Sequence, residues 1–305
     1  MSPATSNVWP APTGNWVALP TPFRDDRIDF EALRRLVEHQ IQAGSSGVVV
    51  AGTTGEAATL DLSERQALLD FVPRVAAGRI GVLAGVGTND TRTTVLLSGH
   101  AERAGCDGLL VVTPFYNRPT QRGLVAHFTA VADAATRPVL LYNVPGRTAC
   151  NLEAEATLAL AEHPNIVGIK EASGDIGQIS EILRHRPGGF LVFSGDDALT
   201  LPLVALGADG VISVVSNVAP DAMADLVSSA AAGELGRARA LHHRLTPLMD
   251  FAFVDSNPIP IKRVLAEMGV CGPTVRSPLA RMPDGQGSGI DQMLVALELI
   301  AEEAA

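Results

Sequence analysis

The chain carries eight short runs of consecutive apolar residues, most of them rich in Val, Ile and Leu. The runs are Trp16–Leu19, Gly47–Ala51, Ile80–Ala84, Gly108–Val112, Val139–Leu141, Ile166–Ile169, Phe190–Phe193 and Gly210–Val214. Strands with one exposed face alternate apolar and polar positions, whereas parallel strands covered on both faces are apolar throughout. The pattern therefore predicts eight parallel strands that are buried on both sides.

Segments of helical length follow these runs. They are Phe30–Ala43, Leu62–Ala77, Thr91–Ala104, Gly123–Ala135, Leu152–Glu162, Ile176–His185, Leu199–Leu206 and Asp221–Ala232. Gly44, Gly78, Gly105 and Gly207 stand just past four predicted helix ends, where a residue in the left-handed conformation commonly closes a helix. Eight strands that are each followed by a helix are typical of the α/β fold known as the (β/α)8 or TIM barrel.

The pattern divides the chain into three regions. Residues 1–14 are rich in Ser, Pro, Ala and Thr and are interpreted as a flexible N-terminal extension, and residues 15–233 form the predicted barrel. Residues 234–305 contain helical patterns at Leu235–Phe253, Pro260–Met268 and Gly289–Glu303 but no strand run of comparable strength. We expect these residues to form a small all-helical C-terminal domain that packs on the barrel.

Composition and charge exclude several classes of protein. Of the 305 residues, 47% are apolar and 18% are charged, which is typical of a folded chain with a large core. The formal charge is −10 and no basic block interrupts it, which argues against nucleic acid and anionic membranes as partners. The chain has no apolar run of membrane-spanning length and no signal-peptide pattern. With three cysteines outside any metal-type spacing, a cytoplasmic protein with reduced thiols is expected.

Lysine and tyrosine are rare in this chain. The lysines are Lys170 and Lys262, although lysine and arginine together number 23, and the tyrosines are Tyr116 and Tyr142. A lysine side chain can lose its proton and attack a carbonyl carbon, which arginine cannot do. The rarity of lysine therefore raises the question of which chemistry these two positions require.

Lys170 closes one of the predicted strands, and the active sites of barrels of this type form at such strand ends. Partial burial there would favour the neutral amine, which is a nucleophile that forms an imine with a ketone. The alternative is a structural lysine that extends its charged end to solvent or pairs with a nearby carboxylate. Because lysine is scarce and both tyrosines also follow strand ends, we favour the functional interpretation.

Other polar residues at the strand ends extend this hypothesis. Tyr142 follows the neighbouring strand, where its phenol would exchange the protons of imine formation or its ring would simply fill the core. Thr53 and Thr54 form either an ordinary turn or a site for a small carboxylate. Arg147 is either a solvated surface residue or a bidentate clamp for a carboxylate.

The sequence offers no pattern for a metal or a nucleotide. The seven histidines lack the spacings of catalytic zinc sites, and glycine-rich stretches such as Gly85–Gly87 lack the spacing of a dinucleotide or phosphate loop. Asp196 and Asp197 are adjacent and would suit a metal pair, but we expect them to cap the helix that follows. No bound metal is therefore predicted.

Taken together, these residues resemble the dihydrodipicolinate synthase / N-acetylneuraminate lyase family of class I aldolases, from about Trp16 to the C-terminal helices. The motif Gly52–Glu56 (GTTGE) resembles the segment with which the family binds the carboxylate of pyruvate, through Thr53 and Thr54 here. Lys170 matches the lysine that forms the Schiff base, and Tyr142 matches the tyrosine that moves protons. The resemblance implies a covalent imine with pyruvate at Lys170 and no cofactor.

The resemblance also implies how the chain assembles and which residues complete the site. Thr53 and Tyr116 match a proton relay that links the catalytic tyrosine to solvent. In the family the second relay tyrosine crosses a tight dimer interface, so Tyr116 implies at least a dimer, and homotetramers built as dimers of dimers are usual. Gly195 and Ile212 match positions that line the pyruvate pocket.

Two segments resemble the synthase branch of the family, namely Tyr142–Thr148 (YNVPGRT) and Asn257–Lys262 (NPIPIK). In that branch the arginine that matches Arg147 binds the carboxylate of aspartate semialdehyde, and sialic acid lyases lack it. The resemblance thus implies condensation of pyruvate with L-aspartate 4-semialdehyde to 4-hydroxy-tetrahydrodipicolinate, on the route to diaminopimelate and lysine. The alternatives are a pyruvate-dependent aldolase or a dehydratase that acts on a keto-sugar acid, and a non-catalytic barrel that binds a keto acid.

The chain departs from the family that it resembles at positions that concern regulation. Feedback-sensitive members bind L-lysine at the dimer interface with a serine, two histidines, a glutamate and a tyrosine. The matching positions here hold Ala57, Leu62, Arg65, Thr93 and Phe115, and Asn89 alone keeps the pattern. The resemblance therefore implies that L-lysine inhibits this chain little or not at all.

Overall fold

A closed barrel of parallel strands forms the body of the protein in this computed structural model, which describes residues 13–300. The strands of the described residues, β1 to β10 in chain order, are Gly14–Ala18, Phe23–Arg24, Arg27–Ile28, Gly47–Val50, Gly81–Gly85, Gly108–Val112, Val139–Asn143, Ile166–Glu171, Leu191–Ser194 and Gly210–Ser213. The barrel order is β1-β10-β9-β8-β7-β6-β5-β4, and β4 pairs in parallel with β1 to close the ring. The predicted (β/α)8 barrel is confirmed, and β2 and β3 add a small antiparallel hairpin that the sequence did not predict.

Helices cover the outside of the barrel between successive strands. Within residues 13–300, α1 to α12 are Phe30–Gln42, Leu62–Ala76, Thr91–Arg103, Gln121–Ala134, Pro145–Thr148, Ala154–Ala161, Ile176–His185, Thr200–Ala205, Pro220–Ala231, Leu235–Phe251, Ile259–Glu267 and Ile290–Ala296. The predicted strands and barrel helices have the observed bounds to within a residue or two. The four glycines expected at helix ends all have positive φ, from 70° to 102°.

The strands are apolar throughout because two hydrophobic layers meet on them. Side chains that point inward from alternate positions, among them Trp16, Leu140 and Phe193, fill the interior of the barrel. Those that point outward pack against the helices in a second, larger cluster. The interior of the barrel is tightly packed at the N-terminal ends of the strands, where a Cβ atom at Gly47 would lie only 2.1 Å from the ring of Trp16. This two-sided burial is what the continuous apolar runs predicted.

The C-terminal helices reach both the outside of the barrel and its mouth. Gly233 adopts a φ of 77° between α9 and α10, which pack against each other.

The predicted N-terminal extension, residues 1–14, lies mostly outside the described residues, and strand β1 begins at Gly14. Helix α12 ends at Ala296, and the remainder of its predicted range either forms turns or lies outside the described residues. No helix within residues 13–300 is both long enough and apolar enough to cross a bilayer.

Candidate active site

Lys170 and Tyr142 lie side by side at the C-terminal ends of two neighbouring strands. Tyr142 on β7 pairs with Lys170 on β8, whose partner on the other side is Phe193 on β9. The amine nitrogen Nζ of Lys170 lies 4.5 Å from the centroid of the Tyr142 ring. Both residues are almost fully buried, with 5% and 6% of their surface exposed. The structure therefore brings together the rare lysine and the rare tyrosine that the sequence singled out.

The carboxylate next to Lys170 in sequence is engaged elsewhere. Glu171 lies on the opposite face of β8, because successive side chains of a strand alternate between faces. Its carboxylate accepts hydrogen bonds from Asn143 Nδ2 at 2.9 Å, from the Ser173 backbone N–H at 3.0 Å and from Gln178 Nε2 at 3.3 Å. Burial raises the pKa of Glu171, and these hydrogen bonds oppose that shift. Glu171 thus gives no support to the alternative that Lys170 is a structural ion-pair partner.

Gly195 and Ile212 lie on the side of the barrel formed by β9 and β10. A Cβ atom at position 195 would lie 3.0 Å from Cε of Lys170 and 2.7 Å from Cβ of Ala172, so the glycine leaves room for the lysine side chain. Ile212 is 1% exposed and packs in the same interior cluster as Tyr142. Gly195 therefore adjoins Lys170, and Ile212 shares the barrel interior with Tyr142.

The loop Gly52–Glu56 follows β4 and carries two threonines at the mouth of the barrel. Thr53 lines a cavity there, whereas Thr54 is buried. The hydroxyl oxygen of Thr54 accepts a hydrogen bond from Asn257 Nδ2 at 2.9 Å. Because a hydroxyl group both accepts and donates, its own proton stays available for a further acceptor. This is the polarity that a carboxylate ligand requires.

A cavity of about 360 Å³ opens over the strand ends, and its wall includes Thr53, Tyr142 and Arg147. This volume is typical of a site for small molecules, which occupy roughly 300–1,000 Å³. Arg147 belongs to the short helix α5 and is exposed at the rim. A hydroxyl, a phenol and a guanidinium thus face one space, which suits a ligand with carboxylate and carbonyl groups.

Tyr116 is set apart from this group within the single chain. It is 87% exposed and has a φ of 74°, and its backbone N–H donates to the carbonyl of Thr148 at 3.4 Å. The cavity wall includes its neighbour Phe115. A tyrosine with so much exposed surface is not a core filler. Its predicted position in a relay stays a prediction that requires a second chain.

Two charged residues of the cavity wall had no predicted role in the active site. Arg65 on α2 donates to the carbonyl of Gly85 at 3.0 Å, and its buried Nε has no partner among the described residues. Burial lowers the pKa of Arg65. Glu56 is buried and pairs with Lys262, the second lysine of the chain. The scarcity of lysine drew attention to Lys262 as strongly as to Lys170. It could not reveal the pairing of Lys262 with Glu56, because the two residues are distant in sequence.

The prediction that Asp196 and Asp197 cap the following helix is wrong. Helix α8 begins at Thr200 without a side-chain cap. The buried carboxylate of Asp197 instead accepts hydrogen bonds from the Ser213 hydroxyl at 2.5 Å and from the backbone N–H of Val214 at 3.0 Å. It therefore holds the end of β10 next to β9. This contact joins two strand ends, which helix-start patterns cannot predict.

Two of the three cysteines carry thiols that are poorly suited to nucleophilic catalysis. All three cysteines are free thiols, and burial raises the pKa of Cys106 to about 12 and that of Cys271 to about 11. A thiol with such a pKa supplies almost no thiolate near neutral pH. Within residues 13–300, no group of three or more His, Cys, Asp or Glu side chains is arranged to hold a metal ion.

Comparisons with curated proteins identify close relatives. One from Salinibacter ruber is 50% identical over 269 residues, which cover 88% of this chain and 89% of the relative. Another from Syntrophus aciditrophicus is 48% identical over 271 residues, or 89% of this chain and 93% of the relative. Both are named 4-hydroxy-tetrahydrodipicolinate synthase.

Solved structures give the same result at the level of the fold. The dihydrodipicolinate synthase of Acinetobacter baumannii in complex with pyruvate has a TM-score of 0.92 and 40% identity, and covers 94% of this chain and 99% of its own. The lysine-bound enzyme of Cyanidioschyzon merolae has a TM-score of 0.91 and 39% identity, with coverages of 94% and 99%. A structure described as the first monomeric dihydrodipicolinate synthase variant has a TM-score of 0.92 and 39% identity, with coverages of 94% and 97%.

The family itself is defined over nearly the whole chain. The sequence profile of the Dihydrodipicolinate synthetase family matches residues 11–296. This range includes the loop Gly52–Glu56, the paired ends of β7 and β8, and helices α10 to α12. By sequence, by relatives and by fold, the chain belongs to the Dihydrodipicolinate synthetase family.

Proposed function

We propose that this chain is a Schiff-base lyase that condenses pyruvate with L-aspartate 4-semialdehyde to 4-hydroxy-tetrahydrodipicolinate. The observation that carries the proposal is the buried amine of Lys170, 4.5 Å from the centroid of the Tyr142 ring at the strand ends. The relatives from Salinibacter ruber and Syntrophus aciditrophicus carry the name of this activity, and the structure from Acinetobacter baumannii holds pyruvate. These similarities favour this reaction over the sugar-acid alternatives.

The reaction begins with a covalent bond to Lys170. The neutral amine attacks the keto carbon of pyruvate, and loss of water leaves an imine. Tyr142 donates a proton to the departing oxygen and recovers it afterwards, with Thr53 as the neighbouring hydroxyl of the relay. The imine nitrogen then accepts the electron pair left by a methyl proton, which gives an enamine. Because the imine is the electron sink, the proposed mechanism needs no cofactor.

The second half of the reaction joins two carbon skeletons. The enamine carbon attacks the aldehyde carbon of aspartate semialdehyde, and a proton returns to the new alkoxide. The amine of the second substrate then attacks the imine carbon and displaces Lys170, so the ring closes and the enzyme is regenerated. Thr53, Thr54, Gly195 and Ile212 surround the pyruvate part, and Arg147 at the rim binds the carboxylate of the aldehyde.

The proposed substrate pair can be separated from its alternatives in one assay. The purified protein is incubated with pyruvate and, in parallel, with aspartate semialdehyde or with sugar-derived aldehydes, and loss of pyruvate is followed. We expect rapid loss of pyruvate with aspartate semialdehyde and not with the sugar-derived aldehydes. A preference for a sugar aldehyde would identify an aldolase, and pyruvate binding without turnover would identify a binding protein. In a separate sample without pyruvate or aldehyde, loss of an added keto-sugar acid would identify a dehydratase.

Replacing Arg147 with alanine is expected to impair use of the aldehyde and to spare the imine. Loss of a charged, bidentate partner costs about 1.5–3 kcal/mol, or roughly 10- to 150-fold in kcat/KM for aspartate semialdehyde. Trapping of pyruvate by borohydride should keep its wild-type concentration dependence. Arg184→Ala, on the exposed surface of α7, is the matched control and should change neither measurement. If Arg147→Ala abolishes trapping too, its assignment to the second substrate is wrong.

We further propose that the chain assembles as a homotetramer, a dimer of dimers in which Tyr116 crosses the tight interface. The exposure of Tyr116 in the single chain supports this, since a relay needs the phenol to be shielded and close to Tyr142. Sedimentation equilibrium should give four times the chain mass of 31.8 kDa. A dimer would preserve the role of Tyr116, whereas a fully active monomer would contradict it.

The domain boundary after residue 233 and a cytoplasmic location stay predictions.

L-Lysine is expected to inhibit this chain weakly or not at all. Where sensitive relatives have a carboxylate, the chain has Thr93, and the neighbouring carboxylate of Asp90 is engaged as the helix cap, since it accepts from the hydroxyl of Thr93 at 2.5 Å and from its backbone N–H at 2.8 Å. Arg65 adds a positive charge in the same region, and a ligand ammonium desolvated without a counter-charge costs several kcal/mol. Initial rates are measured against lysine concentration, with a sensitive relative as the control. A saturating loss of activity at submillimolar lysine would overturn the prediction.

A further inference from the structure

Lys262 is the second lysine of the chain and is fully buried on α11. Its Nζ forms an ion pair with Glu56, donates a hydrogen bond to the carbonyl of Thr274 at 2.8 Å and lies 4.3 Å from the centroid of the Phe23 ring. Burial lowers the pKa of Lys262, and the Glu56 carboxylate opposes that shift. The C-terminal helices thus place a cation under the last residue of the loop Gly52–Glu56.

Lys262 is the main counter-charge of Glu56. The other carboxylate oxygen of Glu56 accepts from the backbone N–H of Arg276 at 2.9 Å. The guanidinium of Arg276 is itself occupied, because it contacts both carboxylate oxygens of Glu64 at 2.6 Å and Asp26 at 3.1 Å. A buried carboxylate requires a paired charge or several donors. Removing the ammonium of Lys262 therefore leaves Glu56 with a neutral backbone donor.

Glu56 connects this ion pair to the threonines of the loop. Its backbone N–H donates to the carbonyl of Thr53 at 3.0 Å, and its φ of 54° is left-handed, a conformation that a non-glycine residue keeps only when its surroundings hold it. The same C-terminal segment supplies Asn257, whose amide donates to the Thr54 hydroxyl at 2.9 Å. The C-terminal segment thus contacts Thr54 directly and is linked to Thr53 through Glu56.

We infer that Lys262 is a positioning residue, which through Glu56 holds the loop Gly52–Glu56 in the geometry that binds the carboxylate of the keto acid. The inference rests on the proposed function, since it assigns the C-terminal helices a part in pyruvate binding. It explains why a lysine stands at this position. Because Lys262 is fully enclosed, its compact ammonium fits where the larger, planar guanidinium of arginine would have to displace its neighbours.

The test removes both charges of the pair, so that neither stays buried alone. In the double variant Glu56→Gln/Lys262→Met, the pyruvate concentration that gives half-maximal borohydride trapping should rise by about 10- to 100-fold, the range expected for a misplaced binding group. The KM for the aldehyde should change by a much smaller factor, and the thermal midpoint should change little. Arg186→Met is the control, because it breaks an ion pair with Asp209 at the opposite end of the strands. It should lower the thermal midpoint and leave the trapping curve unchanged.

Each outcome decides the inference. A folded double variant with the wild-type trapping curve overturns it, and so does an equal shift in the Arg186→Met control, which would reveal a general effect of stability. If this double variant does not fold, Glu56→Gln/Lys262→Gln, which also removes both charges but keeps side chains that can form hydrogen bonds, is judged by the same curve. Wild-type protein that pyruvate and borohydride do not modify would instead refute the proposed function, and the inference would fall with it.

Discussion

Replacing Lys170 with arginine is expected to abolish turnover, with a fall in kcat of about 10⁴-fold or more. The substitution keeps the positive charge, but a guanidinium is not a usable nucleophile and forms no imine. Without the imine, no electron sink exists for the methyl carbanion of pyruvate. Consumption of pyruvate in the presence of aspartate semialdehyde measures the effect, and borohydride trapping should disappear with it.

The control for this variant concerns packing around the lysine. Glycine at position 195 leaves little spare room, because a Cβ there would lie 3.0 Å from Cε of Lys170. Lys170→Met removes the amine and keeps most of the length of the lysine side chain without the larger head group of arginine, so it separates crowding from chemistry. Both variants should be folded in circular dichroism and inactive. Activity within about tenfold of wild type in either one would exclude a covalent role for Lys170.

Replacing Tyr142 with phenylalanine should lower kcat by about 10²–10⁴-fold, the usual contribution of a general acid–base group. The ring packs in the barrel interior and lies beside Lys170, and phenylalanine preserves both contacts. The thermal midpoint should therefore change little. The rate of imine formation should fall along with kcat, because in the proposed mechanism the phenol serves the proton transfers of that step.

The half-saturating concentration of pyruvate separates this effect from loss of binding. If Tyr142 moves protons, trapping in Tyr142→Phe becomes slow but reaches its half-maximum at a similar pyruvate concentration after long incubation. An unchanged kcat would show that the phenol is not part of the chemistry. A large rise in the half-saturating concentration at constant kcat would instead identify Tyr142 as a binding residue.

The barrel could be predicted from the sequence because its strands obey a local rule. A strand buried on both faces is a continuous apolar run, and Gly108–Val112 has the same bounds in the sequence pattern and in the structure. The pairing of Tyr142 with Lys170 was also accessible, since successive strands of this fold are neighbours. The hairpin of β2 and β3 was not, because its strands have two residues each and too few positions for a pattern.

The rest of the site depends on contacts that are remote in sequence. Asp197 binds residues at the end of β10 instead of its own helix, and Lys262 meets Glu56 from the C-terminal helices. Neither partner follows from spacing. Tyr116 differs again, because it is exposed in the single chain and its predicted role depends on a second copy. Local patterns thus predicted which residues stand at the strand ends, and tertiary contacts decide how they are held.

Peptide mapping after borohydride reduction locates the lysine that forms the imine with pyruvate, which the proposed mechanism assigns to Lys170. The two lysines of the chain, Lys170 and Lys262, lie in different environments, and Lys262 is fully enclosed in its ion pair with Glu56. Imine formation at Lys170 predicts one pyruvate adduct per chain, on the peptide that carries Lys170, and unmodified Lys262. An adduct on Lys262 alone, or no adduct at saturating pyruvate, would contradict it.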